Sequence, residues 1–188
     1  ATTPEQKRVL KTCLAFAEKF EAVEREGASL VLCGSVGTGK THLAAAIAKR
    51  VLIDAGPHAA PKDVVQFVTT INAVRRIHDT FRRDSEVTES QAIASLVKPR
   101  LLILDEVGVQ RGTENEKLLL FDILDGRYAA MKPTVIISNL EYSELVEYLG
   151  PRVLDRLEEG NGARLGFTWE SYRQAATANV TKLSDRKH

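Results

Sequence analysis

Cysteine is scarce in this sequence of 188 residues, which contains only Cys13 and Cys33. The two residues do not form a Cys-x-x-Cys pair, and the four histidines are scattered without the spacing of metal ligands. This pattern argues against a structural zinc site and is typical of a protein in a reducing cytoplasm. We therefore expect cytoplasmic localisation.

Long hydrophobic runs are also missing. No apolar segment approaches the roughly 20 residues that a membrane-spanning helix needs, and the sequence shows no signal peptide. We therefore expect no membrane partner. The first residue is Ala1 rather than Met, as in a fragment of a longer protein.

An excess of charge of either sign is absent, because 26 basic and 25 acidic side chains leave a formal net charge of +1. Such a protein has no global field that attracts nucleic acid, so contact with DNA requires a local basic patch. The hydrophobic content of 44% is ordinary for a soluble globular protein. A chain of this length is expected to form one domain.

A glycine-rich segment between an apolar run and an Ala-rich helical pattern is the most informative motif. Residues 34–41 read GSVGTGKT and follow the apolar residues 30–33. Glycines let backbone N–H groups approach phosphates, and the next helix adds its unpaired N–H groups and positive dipole end. In such a loop Lys40 reaches the β- and γ-phosphates of ATP, and the Thr41 hydroxyl binds Mg2+. The predicted nucleotide contacts are Ser35, Val36, Gly37, Thr38, Gly39, Lys40, Thr41 and His42.

Apolar runs alternate with helical patterns along the rest of the chain. Strands are predicted at 30–33, 64–68, 101–104, 134–137 and 163–167, and helices at 4–26, 40–55, 71–83 and 114–131. The strands are apolar throughout, as expected for parallel strands covered on both faces. The sequence therefore predicts an α/β fold with three layers. About twenty residues follow the last strand, which is too few for a lid of several ordinary helices.

Two acidic residues, Asp105 and Glu106, follow the apolar strand at 101–104. Ligands bind at the carboxyl ends of strands in open α/β sheets. We predict that Asp105 holds Mg2+, directly or through water. Glu106 is predicted to orient the water that attacks the γ-phosphate, or to accept its proton. The alternative is a pair of acids that only cap a strand.

Asn139 follows the strand at 134–137. If that strand lies between the other two, the side chain points at the γ-phosphate and can hold the attacking water. The alternative is structural, because Ser138 and Glu141 have the spacing of a capping box and Asn139 could help to start a helix. We favour the catalytic interpretation.

Arg152 and Arg156 lie four residues apart on one face of a helix introduced by Gly150 and Pro151. Such a pair can reach across a subunit boundary to a neighbour's γ-phosphate, where an arginine finger is worth roughly 10³–10⁵ in rate. A solvated face of little energetic value is the equally weighted alternative. Arg173 could contact the phosphates from the end of the chain.

A basic segment at 74–83 contains the candidates for DNA contact, which are Arg75, Arg76, Arg82 and Arg83. Basic residues interleaved with an aromatic residue favour single-stranded nucleic acid. Phe81, however, shares a helical face with Ile71, Val74 and Ile77, which predicts that it belongs to the core.

Three segments resemble the ATPase domain of DnaC-type replicative helicase loaders. They are residues 34–48 (GSVGTGKTHLAAAIA), 101–110 (LLILDEVGVQ) and 149–173 (LGPRVLDRLEEGNGARLGFTWESYR). The similarity extends over nearly all of the chain from the first helix to Arg173. The third segment is the most specific, because many AAA+ ATPases share the first two.

The resemblance implies an AAA+ P-loop domain over 1–188, with a five-stranded parallel sheet and a much reduced C-terminal lid. This domain is expected to consist of a leading helix at 1–27, a nucleotide-binding core at 28–168 and a tail at 169–188 that carries a sensor arginine. Carried over residue by residue, the resemblance implies that Lys40 and Thr41 are the phosphate-loop pair and that Asp105 and Glu106 bind the magnesium and the attacking water. It implies that Asn139 is a sensor and that Arg173 is the second sensor. Arg156 is the implied trans-acting finger, and Arg152 is its neighbour.

The resemblance also implies ATP hydrolysis with Mg2+, self-assembly into a spiral or filament, engagement of single-stranded DNA and placement of the ring-shaped replicative helicase. Family members grip the helicase through an N-terminal extension, which has been removed from this chain or is lacking in the protein. Asn115 stands where some relatives have an aromatic residue.

The leading hypothesis is therefore the ATPase domain of a helicase loader. One alternative is a transposition helper ATPase of the IstB type, which would bind duplex DNA and a transposase. Another is a nucleotide-gated adaptor with negligible turnover, although Glu106 argues against it.

Overall fold

A computed structural model describes residues 2–109 and 113–172 of the chain. The strands are β1 (Leu30–Gly34), β2 (Val65–Thr69), β3 (Leu101–Asp105), β4 (Thr134–Ile137) and β5 (Ala163–Phe167). They form one sheet in the order β2-β3-β4-β1-β5, and every neighbouring pair is parallel. The predicted five-stranded parallel sheet is confirmed, and β4 lies between β3 and β1.

The helices are α1 (Pro4–Glu18), α2 (Phe20–Glu26), α3 (Lys40–Ala55), α4 (Pro61–Val64), α5 (Thr70–His78), α6 (Glu89–Val97), α7 (Glu114–Ala129), α8 (Tyr142–Leu149) and α9 (Pro151–Glu158). A short 3-10 turn at Asp79–Phe81 follows α5. No helix in the described part of the chain is both long and apolar enough to cross a membrane.

The core has two halves, one on each face of the sheet, and alternate residues of a strand contribute to different halves. In β3, Leu101 and Ile103 pack with side chains of α1 and α3, whereas Leu102 and Leu104 pack with those of α5, α6, α7, α8 and α9. Burial on both faces explains why the strands are apolar throughout, and the three-layer prediction is confirmed.

Capping residues fix the ends of several helices. Thr3 and Gln6 form a capping box at α1, and Thr113 and Glu116 form one at α7. Gly27 ends α2 in the left-handed conformation with φ 66°.

Two predicted helices differ from the structure. The helix expected at 4–26 is broken at Lys19, which has φ −107° and ψ 28°, although Phe16 and Phe20 are buried on either side of the break. The helix expected at 71–83 ends at His78. The sequence did not predict α6, although its capping box of Thr88 and Gln91 has the same spacing as the boxes at α1 and α7.

The early end of α5 overturns the assignment of Phe81 to the core. Val74 and Ile77 are buried, but Phe81 lies beyond the helix and is 58% exposed. Helical periodicity places residues on one face only as far as the helix extends. The aromatic ring therefore lies on the surface among the arginines.

Arg127 is fully buried and joins α7 to the start of β4. Its guanidinium donates hydrogen bonds to the Thr134 hydroxyl (2.9 Å) and to the carbonyls of Leu96, Val97, Pro99 and Pro133. Burial lowers the pKa of Arg127 to about 9. Arg127 thus connects α7 both to the start of β4 and to the end of α6 with the segment that leads from it to β3.

Candidate nucleotide-binding site

The glycine-rich loop leaves β1 and enters α3 in a conformation that requires glycine. Gly34 has φ 122°, and a Cβ on it would lie 2.5 Å from the Phe167 carbonyl oxygen in β5. A side chain there would separate β1 from β5, with which it pairs. The first glycine of the motif therefore serves close packing at the sheet edge where the loop begins.

Lys40 is buried at the base of the loop and is 4% exposed. Its Nζ donates hydrogen bonds to the carbonyl oxygens of Gly34 (2.5 Å) and Ser35 (2.7 Å). Burial lowers the pKa of the Lys40 ammonium, while the negative charge of Asp105 acts in the opposite direction. The ammonium group thus lies within the loop, where it can exchange these carbonyls for phosphate oxygens.

Asp105 and Thr41 lie together at the carboxyl end of β3 and the start of α3. The Thr41 hydroxyl donates to Asp105 Oδ2 at 3.0 Å, and the Glu106 N–H donates to Asp105 Oδ1 at 2.8 Å. Hydroxyl and carboxylate oxygens are ligands that Mg2+ prefers. Among the described residues no group of three or more His, Cys, Asp and Glu side chains could hold a metal. The Thr41 hydroxyl and the Asp105 carboxylate could hold Mg2+, which would then take its other ligands from phosphate and water.

Glu106 has φ 61°, which is uncommon for a residue other than glycine. Its backbone N–H is held by Asp105, and its carbonyl accepts a hydrogen bond from Val109 at 3.3 Å. Backbone conformations of this kind cost free energy and cluster at functional sites. The turn directs an exposed carboxylate to the cavity that the phosphate loop borders.

Asn139 is also exposed and lies at the end of β4. The capping alternative is wrong in its detail, because the box at α8 is formed by Glu141 and Glu144 rather than by Ser138. Ser138 is instead buried, and its hydroxyl donates to the Val107 carbonyl at 2.7 Å. The Asn139 side chain is not part of this capping box, and Asn139 borders the same cavity as Glu106. Its role as a sensor stays a prediction.

These groups surround one cavity of about 680 Å³, a volume typical of small-molecule sites. The predicted residues that line it are Val36, Gly37, Thr38, Gly39, Lys40, Thr41, His42, Asp105, Glu106 and Asn139. Ser35 is not among the lining residues, and it contributes through its carbonyl. The structure therefore brings the phosphate loop, both acids and Asn139 together.

Six lining residues were not predicted from the sequence. Gln6, Val9 and Leu10 come from α1, Leu43 comes from α3, and Trp169 and Tyr172 follow β5. The apolar stripe of the first helix was a signal for Val9 and Leu10, but it did not reveal which surface the helix covers. Nothing in the sequence pattern placed the two aromatic residues against the loop.

The predicted arginines of α9 do not line this cavity. Arg156 forms an ion pair with Asp125 of α7, and its guanidinium carbon lies 4.7 Å from the centre of the Tyr128 ring. Arg152 is exposed, and within the described residues it has no ion pair or hydrogen bond. Arg173 lies outside the described residues.

The basic segment forms a separate surface. Arg75, Arg82 and Arg83 are exposed, and Arg76 is half-buried with a hydrogen bond of 3.3 Å to Ser95. The rings of Phe81 and His78 lie 5.7 Å apart between their centres. An exposed aromatic ring among arginines is a combination found in proteins that bind single-stranded nucleic acid.

Comparisons with known proteins agree on one family. The family model described as IstB-like ATP binding protein matches residues 7–177. The chain is 34% identical over 174 residues to the replicative helicase loader DnaC of Buchnera aphidicola subsp. Acyrthosiphon pisum (strain APS), covering 93% of this chain and 67% of that protein. It is 34% identical over 172 residues to the replicative helicase loader DnaC of Escherichia coli (strain K12), covering 92% and 66%.

A solved structure, the crystal structure of the DnaC helicase loader, matches with a TM-score of 0.73 and 25% identity. The match covers 88% of this chain and 91% of that chain. The chain spans about two thirds of the length of the curated relatives.

Proposed function

This chain belongs to the family of IstB-like ATP-binding proteins and has the AAA+ P-loop fold, and on that premise we propose that it is the ATPase domain of a replicative helicase loader. The observation that carries the proposal is the cavity in which the phosphate loop faces Asp105, Glu106 and Asn139. Relatives at 34% identity are named as replicative helicase loaders, which supports the same biological role.

ATP binding rests on the backbone N–H groups of the loop, the Lys40 ammonium and the first turn of α3. Thr41 and Asp105 would hold Mg2+, which neutralises charge on the phosphate oxygens when it is bound. Glu106 orients the attacking water and accepts its proton, and Asn139 holds that water from the neighbouring strand. Arg173 acts as a second sensor of the bound phosphates.

Hydrolysis requires a second copy of the chain in this proposal. The cavity contains Lys40 but no arginine from α9, and an additional positive charge stabilises the transition state of phosphoryl transfer. Arg156 supplies that charge to the γ-phosphate of a neighbour, with Arg152 beside it. ATP thereby favours side-by-side assembly into a spiral or filament, and the expected turnover is slow and depends on assembly.

Single-stranded DNA contacts the surface formed by Phe81 and the arginines at 75, 76, 82 and 83. The exposed ring can stack on a base, and the guanidinium groups can neutralise phosphates. The near-neutral net charge of the chain makes this local patch necessary. Contact with the replicative helicase is proposed for the whole protein, because the chain spans about two thirds of its relatives.

A direct test is titration calorimetry with a non-hydrolysable ATP analogue and Mg2+. We expect Lys40→Ala to abolish measurable binding, because Lys40 is the one Lys or Arg among the described residues that line the cavity. Lys49→Ala is the matched control, since Lys49 is exposed on the same helix. Equal affinity of the wild type and the Lys40→Ala variant would contradict the assignment of the site.

The IstB-type transposition helper is the second candidate, because the matching family model is described as IstB-like ATP binding protein. Such a protein would bind duplex DNA and a transposase. Affinities for a single-stranded oligonucleotide and for its duplex, measured at the same salt concentration in the presence of the analogue, separate the candidates. A preference for the single strand favours the helicase loader, and a preference for the duplex favours the transposition helper.

A further inference from the structure

The chain segment that follows β5, residues 168–172, lies against the phosphate loop. The Trp169 indole N–H donates to the Thr38 carbonyl at 2.9 Å, and the Tyr172 backbone N–H donates to the Gly37 carbonyl at 3.0 Å. A Cβ on Gly37 would collide with the Ser171 side chain. The segment therefore contacts two consecutive residues of the loop, Gly37 and Thr38.

A phosphate loop needs this support because of the way its peptide units are oriented. Where backbone N–H groups face a phosphate, the carbonyl groups of the same units face away from it. Buried carbonyls need donors, and leaving them unpaired costs free energy. Thr38 is 1% exposed, so water cannot replace the Trp169 N–H freely.

The loop carbonyls are held by several donors. Lys40 binds the carbonyls of Gly34 and Ser35, and the Thr38 hydroxyl also donates to that of Ser35. The segment after β5 binds the carbonyls of Gly37 and Thr38. Lys40 is also the side chain that ATP needs, and its hydrogen bonds within the loop are lost when it turns to the phosphates. The hydrogen bond from Trp169 is compatible with both arrangements.

We propose that Trp169 is a positioning residue that holds the phosphate loop in its binding conformation through the Thr38 carbonyl. The indole is anchored for this purpose, because its ring centre lies 4.8 Å from that of Phe167, which is fully buried in β5. The loop is thus tied to the edge of the sheet opposite β2. The effect on ATP affinity rests on the proposed function, whereas the effect on the loop itself does not.

The chain contains a single tryptophan, which allows a clean chemical test. Global replacement of tryptophan by benzothienylalanine, in which sulfur replaces the indole N–H, removes the hydrogen bond and keeps the shape of the ring. Trp169→Phe is the simpler second variant. Glu170→Gln is the matched control, because Glu170 is exposed in the same segment.

Two measurements are made on each variant of the chain: amide hydrogen exchange without nucleotide at Leu43 and Tyr172, whose N–H groups donate to the loop carbonyls of Gly39 and Gly37, and affinity for a non-hydrolysable ATP analogue. Loss of one hydrogen bond predicts exchange and dissociation constants that are each raised about threefold to tenfold, with the control unchanged. A thermal unfolding midpoint close to that of the wild type shows that the loop, rather than the whole fold, has changed.

Unchanged exchange in the benzothienylalanine protein overturns the positioning role, even if its affinity falls, since the indole then acts on the nucleotide directly. Faster exchange in a protein whose wild type binds no ATP analogue keeps the positioning role and overturns the proposed function. Faster exchange together with weaker binding supports both.

Discussion

The phosphate-loop cavity and the arginine face of α9 are built in different ways. In the cavity, Lys40 and Thr38 are buried, and backbone groups of the same chain hold them in place. On α9, Arg152 is exposed, and Arg156 is held by two side chains of α7, Asp125 and Tyr128. The comparison shows that the groups of the cavity are fixed within one chain, whereas the α9 arginines lie outside the cavity.

The largest expected effect separates these two regions. Arg156→Ala should leave binding of the ATP analogue unchanged but lower ATP hydrolysis by roughly 10³–10⁵, the usual contribution of an arginine finger. ATP-dependent self-association, measured by sedimentation, should also be lost. Retention of both activities would show that Arg156 is not the finger.

Mixing two inactive variants sharpens this prediction. A Lys40→Ala chain lacks the binding site but keeps Arg156, and an Arg156→Ala chain has the opposite defect. If the arginine acts between chains, an equimolar mixture should hydrolyse ATP faster than either variant alone. A mixture as inactive as its components would mean that both residues act within one chain.

Glu106→Gln should produce the next largest effect, and this substitution changes the phosphate-loop cavity rather than α9. Removal of a general base typically lowers the rate by about 10²–10⁴, so steady-state phosphate release should fall by that factor. Analogue binding and self-association should persist, because Lys40 and Arg156 are intact. Glu147→Gln, an exposed position on α8, is the control. Equal, measurable turnover in the wild type and the Glu106 variant would contradict the role of Glu106, whereas negligible turnover in the wild type itself would favour the adaptor hypothesis.

The cavity was largely predictable from the sequence because its parts are local. The phosphate loop, the acids after β3 and Asn139 after β4 each follow an apolar strand, and parallel strands bring their carboxyl ends to one edge. The position of β4 between β3 and β1 was the condition for the interpretation of Asn139, and the fold satisfies it.

Features that depend on contacts between distant segments were not predictable. The hydrogen bond from Trp169 to Thr38 joins residues that are 131 positions apart, and the ion pair of Arg156 with Asp125 joins two different helices. The prediction that Phe81 belongs to the core was wrong for a different reason, because it extended a helical period beyond His78, where the helix ends. A pattern carries information within an element but not beyond its end.

The surface around Phe81 belongs to neither region, so its disruption should leave both intact. Phe81→Ala should weaken binding to a single-stranded oligonucleotide by about 5- to 160-fold, because base stacking is worth roughly 1–3 kcal/mol. Affinity for the ATP analogue should be unchanged. Ile53→Ala, which removes a similarly exposed apolar side chain from α3, is the control in fluorescence anisotropy titrations. Equal DNA affinity in the two variants would contradict the proposed surface.

Asp125→Asn tests how Arg156 is held and should have the smallest effect. Asp125 accepts one hydrogen bond, from Nη1, and Tyr128 covers one face of the guanidinium, so other N–H groups stay available to a phosphate. If the carboxylate orients the arginine, its neutralisation should weaken ATP-dependent self-association by about threefold to tenfold, as for loss of one charge-assisted hydrogen bond. Asp122→Asn, at an exposed position of the same helix, should have no effect. A stronger association in the Asp125 variant would mean that the carboxylate competes with the neighbour's phosphate, and α9 would then be restrained rather than prepared for its partner.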